Sequence, residues 1–186
     1  MQVETLVGGF GGQGILFFGR ILAIAGMLQN FEVSWYPSYG PEMRGGTANC
    51  TIIVADQEIG SPVSDHPHLC VAMNEPSLHR YGILVKKGGN VVINSSLIGT
   101  EWEKDGVHVD LVPGNSLAME KAGDPRVLNM VLLGAANERM HIVSFEYLYA
   151  AVKDQLSGKP QGLVDHNLKA IDVGRDYILR GDVACW

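Results

Sequence analysis

Cysteine is scarce in this sequence, and the few that occur are far apart. The 186 residues include only Cys50, Cys70 and Cys185, with no Cys-x-x-Cys pair. An iron–sulfur cluster needs four thiolates in clustered spacing, so this chain cannot hold one by itself. Cys50 and Cys70 fall in apolar strand patterns, where a small buried thiol is expected, and reduced thiols of this kind are typical of the cytoplasm. We therefore expect a cytoplasmic protein.

Excess positive charge and long apolar segments are also missing. The formal net charge is −6, which argues against broad binding to nucleic acids or to anionic membranes. The most apolar stretch, from Ile15 to Leu28, is too short to span a bilayer and contains Arg20. These features predict a protein that binds neither nucleic acid nor membrane.

Motifs of a self-sufficient enzyme are absent. There is no Gly-x-Ser-x-Gly motif and no P-loop lysine. His66 and His68 flank Pro67, but Asp65 is the only other obvious metal ligand nearby. We expect no catalytic residue and no metal site in this chain.

The most informative segment is a glycine run, Gly8–Gly14, with the sequence Gly-Gly-Phe-Gly-Gly-Gln-Gly. It follows a short strand pattern and precedes an apolar helix pattern. Gly9, Gly11 and Gly14 match G-x-G-x-x-G, the turn that cradles phosphates in nucleotide-binding α/β folds. Glycine is needed there because a sharply bent backbone that approaches a phosphate has no room for Cβ atoms.

The rest of the chain predicts one α/β domain over residues 1–186. We expect a Rossmann-like, mostly parallel sheet with helices on both faces and a helical C-terminal third. The predicted strands are Val3–Gly8, Phe31–Trp35, Thr47–Ala55, an Ile59–Pro62 return, His68–Met73, Asn90–Asn94 and Val107–Val112. The predicted helices are Gly14–Leu28, a helix from Asn74 or Glu75 to Lys87, Ser116–Ala122, Pro125–Arg139, Ser144–Leu156 and His166–Leu179. The first of these is apolar nearly all round, so it must be buried on more than one face.

An NAD site would also need an acidic residue at the end of the second strand to bind the ribose hydroxyls. Glu32 lies at the beginning of that strand, and its end carries Trp35, Tyr36 and Pro37. From these residues alone, three interpretations of the glycine run stay open: a redox dinucleotide, another phosphate-bearing or anionic ligand, or a purely structural or interface turn.

A second feature is the loop of residues 36–46, in which Tyr39, Glu42 and Arg44 stand among prolines and glycines. Arg44 could bind a phosphate or a partner carboxylate, or it could simply pair with Glu42 on the surface. The loop follows the carboxyl end of the second strand, so we expect it to lie beside the glycine run. Further along, Asn129 lies in an apolar helix and must find hydrogen-bond partners, which predicts a bond across helices.

Four segments together resemble the gamma subunit of 2-oxoacid:ferredoxin oxidoreductases. They are Gly8–Gly14 followed by Ile15, Tyr39–Gly46 with Thr47 and Ala48, Asn129-Met130 with Leu133-Gly134, and Asn167–Ala170 with Gly174. The resemblance covers essentially the whole chain. Its Glu-Met-Arg sequence is more similar to the 2-oxoglutarate or branched-chain type than to the pyruvate type.

The resemblance implies a subunit of a complex that decarboxylates a 2-oxoacid oxidatively, forming acyl-CoA, CO2 and reduced ferredoxin. Thiamine diphosphate, Mg and 4Fe-4S clusters would belong to alpha, beta and ferredoxin-like delta subunits, and this chain alone would be inactive. It also implies that Gly9, Gly11, Gly12 and Gly14 contact coenzyme A or an anion. Tyr39, Glu42 and Arg44 would contact the coenzyme or a catalytic subunit.

Two hypotheses follow from the sequence. The chain is either this non-catalytic subunit or a stand-alone nucleotide- or small-anion-binding Rossmann-like protein. In isolation, an apolar helix face without its partners would favour a homodimer.

Overall fold

A computed structural model describes residues 1–40, 46–99 and 101–181. Within these residues the strands are β1 (Gln2–Phe10), β2 (Glu32–Tyr39), β3 (Thr47–Ala55), β4 (Leu69–Ala72), β5 (Asn90–Asn94) and β6 (His108–Val112). The helices are α1 (Ile15–Leu28), α2 (Glu75–Tyr81), α3 (Gly114–Leu117), α4 (Leu128–Met140), α5 (Phe145–Gln155) and α6 (Gln161–Leu179). Short 3-10 turns at Gly82–Leu84 and Pro125–Val127 and a π turn at Ala118–Ala122 complete the helical segments.

The six strands form one mixed sheet in the order β2-β3-β1-β4-β5-β6. The pairs β1–β4, β4–β5 and β5–β6 are parallel, whereas β3 runs antiparallel to both β1 and β2. The expected mostly parallel α/β fold is therefore confirmed. The sheet departs from a regular dinucleotide fold because β3 lies between β1 and β2.

Helices cover the two faces unequally. One face packs against α1, α4, α5 and α6 around a large core that includes Phe18, Ile52 and Leu132. The other face carries a smaller core, with Leu78 and Tyr81 of α2 packed on residues of β1, β4 and β5. The prediction of helices on both faces and of a helical C-terminal third is confirmed.

Helix α1 is buried on two sides, as its apolar composition predicts. Ile21 and Leu22 are fully buried, and the helix contacts β2 and β3 on one side and α4 and α5 on the other. Its last turn is open, where Met27 and Leu28 are exposed, and Arg20 in the middle of the helix is exposed as well. Neighbouring helices of this same chain therefore cover most of the apolar surface of α1.

Three predicted elements are wrong. The second strand continues to Tyr39 instead of giving way to a loop at residue 36, and Pro37 is tolerated because β2 is an edge strand. Ile59–Pro62 forms no strand, because β3 already pairs with β1 and β2. Helix α2 ends at Tyr81 and is followed by a 3-10 turn, so it does not reach Lys87.

Two glycines allow α4 and α6 to cross at backbone contact. A Cβ atom added to Gly134 would lie 2.0 Å from the carbonyl oxygen of Ile171, and one on Gly174 would lie 1.8 Å from that of Val131. Neither position can accept a side chain, since the neighbouring atoms belong to backbone. Separately, no helix in the described part of the chain is long and apolar enough to cross a bilayer.

Candidate functional site

The glycine loop, defined as Gly8–Gly14, turns the chain from β1 into α1. Gly12 and Gly14 have left-handed backbone, with φ of +103° and +79°, which residues with a Cβ atom rarely adopt. Nothing lies within 4 Å of a Cβ atom built on Gly12, whereas one on Gly14 would lie 2.4 Å from Nδ2 of Asn129. Gly12 is therefore required by backbone conformation alone, and Gly14 by conformation and packing together.

The other two predicted contact glycines lie in different surroundings. The N–H of Gly11 donates to the carbonyl of Gly46 at 2.9 Å, which joins the glycine loop to the start of β3. A Cβ atom on Gly9 would lie 2.6 Å from Oε1 of Gln13 and 2.9 Å from Cβ of Met73. Gly9 thus faces the interior of the loop.

A cavity of about 500 Å³ opens beside the glycine loop. Its lining is mostly apolar: Phe10, Gly11, Gly12, Gly14, Ile15, Leu16, Phe17, Tyr39 and Ala48. Three of the four predicted glycines line it, and Gly9 does not. The sequence did not single out Phe10, Leu16 and Phe17, whose position becomes evident only once β1, α1 and β2 are assembled.

The structure brings Tyr39 to this cavity, as the sequence indicated, although β3 separates β1 from β2. The reason is that β2 and β3 are antiparallel neighbours, and the end of this pair at which Tyr39 is paired to Ala48 lies at the glycine loop, where Phe10 is paired to Thr47. Tyr39 is 65% exposed, so its ring is available for contact. Glu42 and Arg44 lie outside the described residues.

The N-terminus of α1 has features that suit an anion. Gly14 occupies the N-cap position, no side chain caps this end, and the first turn contains no acidic residue. The first-turn N–H groups and the positive end of the helix dipole therefore have no competing carboxylate from this turn. Its residues Ile15, Leu16 and Phe17 are also part of the cavity lining.

The arrangement disfavours a dinucleotide. Strand β2 ends at Tyr39, whereas Glu32 is its first residue and lies at the opposite end of the sheet. The carboxyl end of β2 thus offers an aromatic ring where a dinucleotide fold places the acid that binds the ribose.

Asn129 finds the kind of partner that the sequence predicted. It is 4% exposed, and its Nδ2 donates to the carbonyl of Gly14 at 3.1 Å. The same carbonyl accepts the N–H of Phe18 in the first turn of α1. Asn129 therefore fixes the start of α4 against the start of α1 and supports the glycine loop from behind.

Gln13 is a site residue that the sequence analysis missed. Its Oε1 accepts the N–H of Phe10 at 2.7 Å, and its Nε2 donates to the carbonyl of Met73 at 3.2 Å. Its only signal in the sequence is that it is the one polar side chain in an otherwise glycine and phenylalanine segment.

The two described thiols are unsuited to shared metal ligation. Cys50 packs in the core on the α1 face of the sheet and Cys70 in the core on the α2 face. Burial raises the pKa of each thiol to about 12, which keeps both protonated. To bind one metal ion together, both thiols would have to lose their protons and move to the same face of the sheet.

His68 binds neighbouring protein groups. Its Nδ1 accepts the N–H of Glu4 at 3.2 Å, and its Nε2 contacts Nζ of Lys86. Burial and the charge of Lys86 lower the pKa of His68. Among the described residues no group of three or more potential ligands could hold a metal ion.

Comparison with known proteins identifies the family. The pyruvate ferredoxin/flavodoxin oxidoreductase family matches residues 4–177. The chain belongs to this family.

Relatives within this family include both short and long proteins. The 2-oxoglutarate synthase subunit KorC of Methanothermobacter thermautotrophicus is 33% identical, with 97% of each chain covered. The ketoisovalerate oxidoreductase subunit VorA of Methanothermobacter marburgensis is 35% identical over 95% of this chain. This chain spans only 36% of the length of that VorA, so about two thirds of VorA have no counterpart here.

Solved structures show the same fold. The keto/oxoacid ferredoxin oxidoreductase gamma subunit from Geobacter sulfurreducens is 27% identical and superposes with a TM-score of 0.81, covering 96% of this chain and 99% of that one. The 2-oxoglutarate:ferredoxin oxidoreductase from Magnetococcus marinus gives a TM-score of 0.84 at 24% identity, covering 96% of this chain and 31% of that one. At the latter identity the likeness concerns the fold alone.

Proposed function

We propose that this chain, as a single domain, is the gamma subunit of a multi-subunit 2-oxoacid:ferredoxin oxidoreductase. The observation that carries the proposal is the match to KorC, which covers 97% of both proteins. The gamma subunit from Geobacter sulfurreducens supports it with similarly complete coverage. The alternative of a stand-alone nucleotide-binding protein is less well supported, because β2 lacks the acid that binds ribose.

The proposed complex converts a 2-oxoacid and coenzyme A to acyl-CoA and CO2, with two electrons passed to ferredoxin. Alpha, beta and ferredoxin-like delta subunits are its proposed partners. On those subunits, thiamine diphosphate with Mg would supply carbanion stabilisation, and 4Fe-4S clusters would supply electron transfer. In this proposal the residues of this chain bind and orient the coenzyme or a neighbouring subunit, and the chemical steps take place on the other subunits.

The cavity beside the glycine loop is the proposed contact for coenzyme A. Its phosphates carry the negative charge that the uncapped start of α1 attracts, and its pantetheine arm suits a wall of Leu16, Phe17 and Tyr39. Gly11, Gly12 and Gly14 let the coenzyme approach the backbone. We propose that Arg44 adds a bidentate contact to a phosphate or to a neighbouring subunit.

A titration separates this proposal from the dinucleotide alternative. Coenzyme A and NAD are titrated calorimetrically into the isolated chain and into the complex assembled with its partner subunits. We expect heat of binding with coenzyme A and none with NAD. Clear binding of NAD without any response to coenzyme A, even in the complex, contradicts the proposal.

Omission of the chain tests its place in the complex. The candidate subunits are co-expressed with and without it, and the 2-oxoacid-dependent reduction of ferredoxin is measured. We expect 2-oxoglutarate to give a higher kcat/KM than pyruvate or 2-oxoisovalerate, because the KorC of Methanothermobacter thermautotrophicus matches over 97% of both proteins, whereas this chain spans only 36% of the ketoisovalerate subunit VorA. Full activity without this chain contradicts the subunit assignment, whereas preference for 2-oxoisovalerate contradicts only the choice of substrate.

A further inference from the structure

The crevice between the carboxyl ends of β1 and β4 is a topological switch point. The two strands are parallel neighbours. After β1 the chain passes through α1 on one face towards β2, and after β4 it passes through α2 on the other face towards β5. Open α/β sheets bind their ligands in the crevice at such a point.

The side chain of Gln13 spans this crevice. On one side it accepts a hydrogen bond from Phe10, the last residue of β1, and on the other it donates to Met73, the first residue after β4. The distances are 2.7 and 3.2 Å. The carboxamide of Gln13 therefore connects the ends of β1 and β4. A ligand could enter between these strands only if their ends were free to separate.

Gly9 provides the room for this carboxamide. In a dinucleotide fold the space left by missing Cβ atoms lets the ligand approach the turn. Here a Cβ atom on Gly9 would lie 2.6 Å from Oε1 of Gln13, so the side chain occupies that space itself. Gly9 is accordingly absent from the lining of the cavity, to which Gly11, Gly12 and Gly14 contribute.

We propose that Gln13 is a specificity-determining residue that closes the switch point to the diphosphate of a nucleotide. A diphosphate placed between β1 and β4 would have to displace the carboxamide and break both of its hydrogen bonds. The glycine loop is left with one open side, which is the cavity lined by α1 and Tyr39.

This inference rests on the proposed function only in taking the glycine loop as the ligand-facing edge. It concerns which side of the loop is open, so it is tested with ADP, the diphosphate that coenzyme A also contains. Any binding of ADP by the wild type is the baseline for the cavity, and the inference concerns only the gain in affinity when Gln13 is removed. A failure of coenzyme A to bind would leave the ADP comparison unaffected, and an unchanged ADP affinity would leave the subunit assignment standing.

The experiment compares ADP binding by the full chain and three variants. Gln13→Ala removes the carboxamide. Gln13→Glu keeps the crevice filled and the acceptor for the N–H of Phe10, but it loses the bond to Met73 and adds a charge that repels phosphate. The matched control is Gln29→Ala, because Oε1 of Gln29 also accepts a backbone N–H, that of Ser144 at 2.8 Å, near the opposite end of α1. Calorimetry gives the affinity for ADP, and thermal unfolding checks that each variant is folded.

We expect Gln13→Ala to bind ADP at least about tenfold more tightly than the wild type, a difference of about 1.4 kcal/mol in binding free energy. Gln13→Glu and Gln29→Ala should match the wild type. Equal affinities of folded Gln13→Ala and wild type would overturn the proposal, as would tight binding of ADP by Gln13→Glu.

A measurement on the wild type keeps the proposal testable should Gln13→Ala fail to fold. Amide hydrogen exchange of Phe10 reports on the bond to Gln13 directly. We expect this amide to exchange at least about tenfold more slowly than that of Gly12 in the same loop, and to stay protected in Gln13→Glu, which keeps the acceptor oxygen. Equal rates at Phe10 and Gly12 in the wild type would show that the crevice is open and overturn the proposal.

Discussion

At the scale of single residues, the glycine loop is a set of positions with different requirements. Gly12 is required because its backbone is left-handed. Gly14 is required because its backbone is left-handed and Asn129 leaves no room for a Cβ atom, and Gly9 is required because its missing Cβ leaves room for Gln13. The G-x-G-x-x-G pattern cannot distinguish these cases, because each is decided by a neighbour that is distant in sequence or by a side chain within the loop. The pattern therefore identifies a tight turn and leaves its ligand undecided.

Alanine at Gly12 and at Gly14 should separate backbone strain from packing. Gly12→Ala places Cβ in open space and costs only the left-handed conformation, about 1–2 kcal/mol of unfolding free energy. Gly14→Ala adds a clash with Asn129 and should cost about 2–4 kcal/mol in total. Denaturant unfolding of both variants checks the order, and equal losses would contradict it.

Asp124 should give the protein an acid-sensitive contribution to stability. Hydrogen bonds from Arg126, at 2.7–3.1 Å, lower the pKa of Asp124 to about 2 from a usual value of 3.8. Because the pKa is lower in the folded state, the contribution is present above about pH 4 and is lost as the pH falls to about 2. This contribution is small, because the Arg126 side chain is exposed to solvent.

Asp124→Asn tests this contribution, because asparagine can still cap the following turn. The unfolding free energies of the wild type and the variant are compared at several values between pH 6 and pH 2. The wild-type advantage should shrink as the pH falls. A constant difference over the whole range would contradict the assignment to Asp124.

At the scale of secondary structure elements, the sequence predicts well where local signals are complete. Strand β5 has its predicted bounds, Asn90–Asn94, because a continuous apolar run is preceded by two glycines. The end of β2 could not be predicted in this way. Residues 36–39 become strand only because β3 pairs along the whole hairpin, and their proline and polar residues otherwise indicate a loop.

The placement of β3 between β1 and β2 likewise could not be predicted from the sequence. Its pattern of Thr, Ile and Val predicts a buried strand, but nothing local specifies which strands it pairs with or in which direction. The cavity depends on that arrangement, because the β2–β3 hairpin brings Tyr39 to the glycine loop. The sequence therefore identified Gly11, Gly12, Gly14 and Tyr39 of the cavity lining, without the topology that assembles them.

The crossing of α4 and α6 should be the element contact most sensitive to one methyl group. Gly174→Ala forces Cβ against the carbonyl of Val131, which as backbone cannot move aside, and should cost about 3 kcal/mol or more. Gly162→Ala is the matched control in the same helix, since nothing lies within 4 Å of its Cβ position. The control should be neutral or more stable by up to about 1 kcal/mol.

Thermal and denaturant unfolding of the two variants give the comparison. Similar stability of Gly174→Ala and Gly162→Ala would mean that α4 and α6 do not touch at this crossing. Gly134→Ala provides an independent check from the opposite helix, because its Cβ would meet the carbonyl of Ile171.

At the scale of the whole molecule, one edge of the sheet concentrates the features that bear on function. The glycine loop, the uncapped start of α1, the cavity and the end of β2 all lie at the carboxyl ends of β1 and β2. The helices behind this edge are tightly packed, with Asn129 joining α4 to the loop. A rigid support with an open, mostly apolar edge suits a subunit that presents a surface to a coenzyme or to a larger partner.

Two tyrosines on β2 can decide what this edge contacts. Tyr39 lines the cavity, whereas Tyr36, three residues earlier, points to the opposite face of the strand. They are 65% and 50% exposed, so replacing either by alanine should change the unfolding free energy little. In the assembled complex, Tyr39→Ala should raise the KM for coenzyme A several-fold while kcat and subunit stoichiometry stay unchanged, and Tyr36→Ala should leave all three unchanged. Loss of the complex in Tyr39→Ala, with a normal KM in whatever complex remains, would instead assign this edge to a neighbouring subunit.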